Sequence, residues 1–393
     1  MSSKPSAQAE LNLVERAQHL SERSGTFEKG LVSTKKYSEA INSVLRVIKR
    51  RFGPGYTVAP FGSTVYMRGF DVGQQLLANQ EKGSQKTKGD LDLVILDMDR
   101  PLGFTPDLNL YQLPAIYNIR RLAFVLSEAG FKDVRSIPNA SVPIVKFQCP
   151  RTQLSIDINV NDRLGLINSY LLRNYCDVLP GLRMLMAVIK LWTLPLGLNN
   201  PSGCGRKVTF STYALVLMTL GWLQSTCLAP NLQHGFNIST ESAKEGSFWI
   251  RSSPKAKKST PVWCDVRFRS VTMQDCYPPL PVEEIFVDWL HFWGHTFDFE
   301  LNSIDIKEGG VCTRQDATMP PNVSNVPVCI IDPFIRRKNV TINIGVDALD
   351  LFRSECRLTL DRIKTMGLPI TEIISGYESL QRLGEPNFSF PET

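Results

Sequence analysis

No run of 18 or more apolar residues occurs in this 393-residue chain, so nothing in it is predicted to span a membrane. Histidine is scarce, with four residues in no ligand pattern, which argues against a zinc site. The nine cysteines (149, 176, 204, 227, 264, 276, 312, 329 and 356) never fall in CxxC spacing. An odd, scattered set reads as reduced thiols in a reducing compartment. The opening MSSKPSAQAELNLVERAQ lacks an apolar h-region and carries acids, so it resembles neither a signal nor a transit peptide, and a cytoplasmic or nuclear location is expected, cytoplasmic first. Internal repeats, zinc knuckles and RNP-type aromatic motifs are also missing. What remains is a chain long enough for two domains, 43% hydrophobic, with a net charge of +6 that permits a phosphate-bearing partner without requiring one.

The pattern along the chain predicts a small α/β part followed by a helical one. Residues 1–25 are polar and read as frayed or loosely helical. YSEAINSVLRVIKRR (37–51) places Ile41, Val44, Leu45 and Ile48 at helical spacing, with Lys35, Lys36, Arg46, Lys49, Arg50 and Arg51 crowding the helix and its approach. Gly53-Pro54-Gly55 stops it. Four short strands follow in YTVAPFG, DLDLVIL, SVPIVKF and LSIDINV, with the amphipathic helix RRLAFVLSEAGF between the second and third. From residue 178 the helical pattern dominates in LPGLRMLMAVIKLW, STYALVLMTLGWLQ and VEEIFVDWLHFWGHTF. Residues 239–261 are polar and read as a loop or insertion.

Three acids carry the chemistry. In KGDLDLVIL, strand alternation turns Asp90 and Asp92 to one face, roughly 6.6 Å apart at about 3.3 Å per residue, while Leu91, Leu93 and Ile95 face a core. Two adjacent carboxylates repel unless a cation lies between them, and Mg²⁺ suits few carboxylates plus substrate phosphates. A lone DxD would more often be a strand end with solvated acids. LSIDINV changes that balance, because Leu154, Ile156, Ile158 and Val160 share one face and leave Asp157 on the other. Pro150-Arg151 is a plausible turn from SVPIVKF into that strand. A third acid on a neighbouring strand is what two-metal displacement by a hydroxyl requires. Upstream, Gly62-Ser63 stands where a strand ends and a helix begins, an anion site in the presence of the acids and otherwise a plain N-cap at Ser63.

Together Gly62-Ser63, Asp90-Leu91-Asp92 and Asp157 resemble the polymerase β-like nucleotidyltransferases. NVNDRLGLINSYLL (159–172), VIKLW (188–192), TFSTYALVL (209–217) and VCIIDPFIRRKNV (328–340) narrow the resemblance to the noncanonical poly(A) polymerases and terminal uridylyltransferases, over roughly residues 40–365. The resemblance implies an α+β fold: a polymerase β-like palm of mixed sheet and helices at 52–160, and a mostly helical central domain at 161–393. The active site is then expected in the cleft between them, with 1–51 as a helical segment packing on the central domain. It implies that Asp90, Asp92 and Asp157 hold Mg²⁺ or Mn²⁺, and that Gly62 and Ser63 bind the β- and γ-phosphates. Asn168 would bond the ribose 2′-hydroxyl, Lys190 and Thr212 would serve the triphosphate, Tyr213 would stack on the base, and Asp332-Pro333-Phe334 would shape the base wall. Bland readings stand beside these: a cap or turn for Asn168, a solvated lysine for Lys190, core for Tyr213 and a turn start for Asp332.

The sequence departs from the family at several points. Ser63 and Asp90 are 27 positions apart, about twice the family's usual spacing, so residues 66–89 contain an insertion. Lys338 stands where uridylyltransferases often have His, Leu194 where many have a second Lys, Asp162 where Asn is common, and Ile342 where Arg is frequent. A carboxylate accepts from the amino group of cytosine or adenine but repels uracil O4. The resemblance places Asp162 and Lys338 beside the base, which would favour an amino-bearing base, as in enzymes of this kind that tail RNA with C and U. The expected substrates are an RNA 3′ end and ribonucleoside triphosphates, CTP and UTP first and ATP as the alternative, with a protein partner for RNA selection. Rival readings are a poly(A) polymerase, a non-catalytic RNA-binding scaffold of the same fold, and a nucleotidyltransferase acting on a small molecule. The three retained acids weigh against the scaffold, and the basic helix with KAKK (255–258) leans toward RNA.

Overall fold

Apolar residues at period two build the sheet of the first unit, and helices at period 3.6 cover one of its faces. The computed structural model describes residues 31–67, 90–140, 142–203, 207–236, 247–251, 261–271, 276–315, 326–367, 370 and 372–373. The residues 1–25, the insertion from 68 to 89 and the KAKK run at 255–258 lie outside the described residues.

The described residues divide into two units, one within 31–173 and 247–267, the other within 174–236 and 268–373. In the first, α1 (Leu31–Phe52) leads to β1 (Tyr56–Phe61), the single turn α2 (Ser63–Tyr66) and β2 (Leu91–Asp97). There follow α3 (Ile119–Glu128), β3 (Lys132–Ile137), β4 (Ile144–Gln148), β5 (Ser155–Val160) and most of α4 (Leu164–Val178). The strands form one mixed sheet in the order β1-β2-β5-β4-β3. Only β2 and β5 run parallel; the other pairs are antiparallel. Leu91, Leu93, Ile95, Val145, Phe147, Ile156 and Ile158 point to one face and are buried with Ala40, Val44 and Ile48 of α1 and Leu122 and Leu126 of α3. The acids therefore lie on the face these two helices leave uncovered.

That packing corrects one expectation. The apolar stripe of α1 buries itself on the sheet, not on the helical part of the chain, because the sheet's Leu and Ile rows need a cover on that side. Gly53, at φ +104, ends α1 with its N–H on the Lys49 carbonyl at 3.1 Å. A second difference concerns residues 239–261. Ser247–Arg251 and Pro261–Asp265 are antiparallel strands, β6 and β7, and the hairpin joins the first unit. The Trp249 N–H donates to the Leu102 carbonyl at 2.8 Å and the Phe104 N–H to the Trp249 carbonyl at 3.0 Å.

The second unit is mainly helical: α5 (Leu182–Thr193), α6 (Thr212–Ser225), α7 (Val282–His291) and α8 (Val346–Met366), with the small hairpin β8 (Asn302–Asp305) and β9 (Gly310–Thr313). Trp192, Trp289 and Phe352 form edge-to-face contacts at its centre, and the indoles of Trp192 and Trp289 donate to Thr359 and Thr219 at 3.0 and 3.1 Å. Among the described residues no helix is long and apolar enough to cross a membrane.

Candidate active site

β2 and β5 place Asp92 directly opposite Asp157 in the parallel register, so both carboxylates rise from the face opposite α1 and α3 on adjacent strands about 4.8 Å apart. Asp90 immediately precedes β2 and is exposed, while Asp92 and Asp157 are half-buried. Among the described residues no three acids converge closely enough to hold one ion by themselves. The Asp92–Asp157 pair still fits a hard divalent cation such as Mg²⁺, whose other positions go to water and substrate phosphate. Asp157 also pairs with Lys146, its cross-strand neighbour on β4. Sequence reading missed Lys146; the signal was its phase in SVPIVKF, which the hairpin register converts into the same face as Asp157.

Gly62 sits against this pair. At φ +73 it turns the chain from β1 into α2, and a Cβ there would collide with Asp92 Oδ2 and stand 3.3 Å from its Cγ. Only glycine combines that backbone with that clearance. The Gly62 N–H is already used, donating to Ser169 Oγ at 2.7 Å. Gly62 therefore leaves space beside Asp92 but no free backbone donor. It is also the residue at the N-cap of α2, so Ser63 opens the turn instead of capping it. The Ser169 hydroxyl in turn donates to the Gly165 carbonyl at 2.6 Å, and Gly165 lets α4 approach so closely that a Cβ would lie 2.8 Å from the Phe61 ring. Asn168, half-buried, precedes Ser169 on this anchored turn. Asp162 lies at the start of α4: its Oδ1 accepts the Leu164 N–H at 3.3 Å, and its own N–H donates to Asn159 Oδ1 at 3.3 Å. Its carboxylate thus serves as a helix cap.

The remaining predicted residues belong to the second unit. Lys190, exposed near the end of α5, and Thr212, the first residue of α6, line one shallow groove with Met186, Ile189 and Leu215. Ser211 caps α6 by accepting the Ala214 N–H at 3.1 Å, and Asn199 donates to the Thr212 hydroxyl at 3.0 Å. Burial, and then the nearby Asp332 carboxylate, push the Tyr213 phenol well above its usual range. Asp332 is fully buried and folds its own turn, with Oδ1 accepting the Phe334 and Ile335 N–H groups at 3.0 and 2.9 Å. Its Oδ2 has no hydrogen-bond donor among the described residues, and the Lys338 ammonium stands 3.5 Å away. Lys338 therefore has Asp332 as its partner. The next residue, Asn339, is structural: buried, it donates to the Val328 carbonyl and accepts from Ile330 and Thr341.

Two family signatures match this chain. Residues 80–177 match the central palm domain of mitochondrial-like poly(A) RNA polymerase, and 282–338 match the Cid1 family poly A polymerase segment. Over these two segments the chain is similar to the noncanonical polymerase family. Among relatives, it is 25% identical over 283 residues to "Poly(A) RNA polymerase GLD2" of Xenopus tropicalis, covering 71% of this chain and 48% of that protein. It is 22% identical over 223 residues to "Poly(A) RNA polymerase cid11" of Schizosaccharomyces pombe, covering 56% and 41%. The chain thus spans about half the length of the relatives it matches. Its fold is that of the mtPAP structure solved in complex with UTP, at TM-score 0.63 and 21% identity over 86% of this chain and 68% of the other. A Cid1 poly(U) polymerase mutant bound to MgATP gives TM-score 0.60 and 20% identity, over 88% and 92%.

Proposed function

We propose that this protein is a template-independent RNA 3′-terminal ribonucleotidyltransferase that uses Mg²⁺ or Mn²⁺ and adds pyrimidine nucleotides, CMP ahead of UMP. The observation that carries the reading is Asp92 facing Asp157 across β2 and β5, with Gly62 pressed against Asp92. In the reaction the RNA 3′-oxygen bonds to the α-phosphorus of the incoming nucleotide and pyrophosphate leaves. Asp92 and Asp157, with Asp90 alongside, would hold a divalent cation, which when bound would supply charge neutralisation and a more acidic 3′-hydroxyl. Ser63 meets the β- and γ-phosphates in the clearance that Gly62 leaves. Asn168 meets the ribose 2′-hydroxyl, which is both donor and acceptor. Lys190 and Thr212 serve the triphosphate, and Tyr213 presents its ring to the base with its phenol neutral.

Base choice rests on Asp162 and Lys338. The Asp162 carboxylate accepts from an exocyclic amine, and the Lys338 ammonium, steadied by Asp332, donates to a ring acceptor. One observation favours a second reading, AMP addition: the GLD2 and cid11 relatives are named poly(A) RNA polymerases. The deciding experiment offers CTP, UTP, ATP and GTP, singly and in competition, on a single-stranded RNA primer with Mg²⁺ or Mn²⁺. CMP incorporation is expected to lead. Excess EDTA or Asp92→Ala is expected to lower the rate by orders of magnitude while the fold persists. ATP leading would replace the pyrimidine reading by polyadenylation, and undiminished activity of Asp92→Ala would end the assignment.

A further inference from the structure

The strand registers of the first unit align one row of side chains across the face opposite α1 and α3. From one edge to the other it reads Phe61, Asp92, Asp157, Lys146 and Arg135, each a direct cross-strand neighbour of the next. The two carboxylates are therefore flanked asymmetrically. On the β1 side lies the Gly62-Ser63 turn, which the proposed function gives to the triphosphate. On the β4–β3 side stand Lys146 and Arg135, about 5 and 10 Å across the sheet from Asp157 at the usual strand spacing. Lys132, paired with Gln148 one step along the same face, adds a third cation.

We propose that Lys146, Arg135 and Lys132 form the track that binds the phosphates of the RNA primer's 3′-terminal nucleotides. This rests on the tailing reading given above and assigns the primer to one flank of its site. A terminal nucleotide's own phosphate lies one sugar away from its 3′-hydroxyl. A hydroxyl directed at Asp157 from the β4 side thus carries its phosphate over Lys146, and the preceding phosphate over Arg135. The Lys146 side chain is 48% exposed although it pairs with Asp157. An ammonium has three donors, enough for a carboxylate and a phosphate oxygen together. Arg135 is exposed, forms no ion pair among the described residues, and carries a fork suited to phosphate. Cations on an edge strand such as β3 also discourage sheet-to-sheet pairing. That reason does not cover Lys146, because β4 is an interior strand of the sheet.

The test measures binding of a labelled, unstructured RNA by anisotropy, in EDTA and without nucleotide, across a range of salt. Arg135→Gln and Lys146→Gln are each expected to weaken RNA binding about tenfold. Each should also reduce the slope of log affinity against log salt by about 0.7, the value for one lost single-strand phosphate contact. Lys146→Arg and Arg135→Lys should retain most of the affinity, and KM for the nucleotide should not move. Arg135→Gln changes an exposed side chain, so it reports even where the Lys146 substitution harms folding. Unchanged RNA affinity and slope in the Gln variants overturn the track. So does a fall in kcat alone, which would leave Lys146 as a support for Asp157, or a rise in nucleotide KM with RNA binding intact, which would hand these cations to the triphosphate. A wild-type protein that tails no RNA yet loses affinity and slope with these substitutions keeps the track and removes the tailing reading. Normal tailing with unchanged slopes removes the track alone.

Discussion

The proposed function gives Asp162 a second duty beside its structural one, and a single substitution can separate the two. Its Oδ1 accepts the Leu164 N–H and caps α4, and in the proposed function its carboxylate charge would favour an amino-bearing base. Asparagine caps helices as well as aspartate does, so Asp162→Asn keeps the cap and removes the charge. The expected result is unchanged folding stability, with CTP:UTP preference moving toward UTP by roughly five- to a hundred-fold, the worth of about 1–3 kcal/mol for a buried polar group losing its partner. Competition between the two nucleotides, read with a urea midpoint for each protein, checks both halves. A flat ratio with an unchanged midpoint would leave Asp162 as a cap and nothing more. Lys338 offers no such separation, because its ammonium stands beside the buried Asp332 carboxylate and its removal strands that charge.

The junction of β1 and α2 shows how an element boundary positions chemistry. Gly62→Ala forces a side chain into left-handed backbone, at a cost of about 1–2 kcal/mol, and drives its Cβ into Asp92 Oδ2. A displaced carboxylate should cost more than the strain does: a kcat lower by about a hundredfold beside only a modest loss in urea midpoint. Equal losses in both would make Gly62 a folding residue alone. This junction was legible in the sequence, as were β1, β2, β4 and β5, because their apolar residues alternate cleanly around the acids. β3 was not, since KDVRSI is a polar edge strand with a bulge and lacks that alternation. β6 and β7 were hidden in a stretch whose polarity read as loop, and their pairing shows only once Phe248 meets Cys264 across the hairpin. The stripe on α1 announced a buried face but could not name what buries it. Lys146 was hidden for a similar reason, because its neighbour across the sheet is eleven positions away in sequence.

Over the whole molecule, buried phenols and thiols make alkaline stability predictable in sign. In the first unit, burial and then the hydrogen bond from Tyr117 to Asp97, 2.8 Å long, push the Tyr117 phenol well up from 10. In the second, burial pushes up Tyr175, despite hydrogen bonds from Leu232 and Gln224 that act the other way. Burial also raises the Cys176 thiol to about 12 and the Cys329 thiol to about 11. Above the unfolded pKa of such a group the unfolded chain releases its proton while the folded chain keeps it. The native state then binds more protons, and stability falls as pH rises, by about 1.4 kcal/mol per pH unit for each group still protonated. The buried thiols start the decline near pH 9 and the phenols steepen it from about pH 10. Urea unfolding at about pH 7.5, 9, 10 and 11, with tyrosinate absorbance followed in parallel, should show midpoints dropping progressively. If the two units unfold in separate steps, both steps should shift at the higher values, because each holds one of these phenols. Tyr117 and Tyr175 should contribute no tyrosinate signal until their unit unfolds. A midpoint constant to about pH 11, or full tyrosinate absorbance in the folded protein, would mean that these hydroxyls are open to solvent.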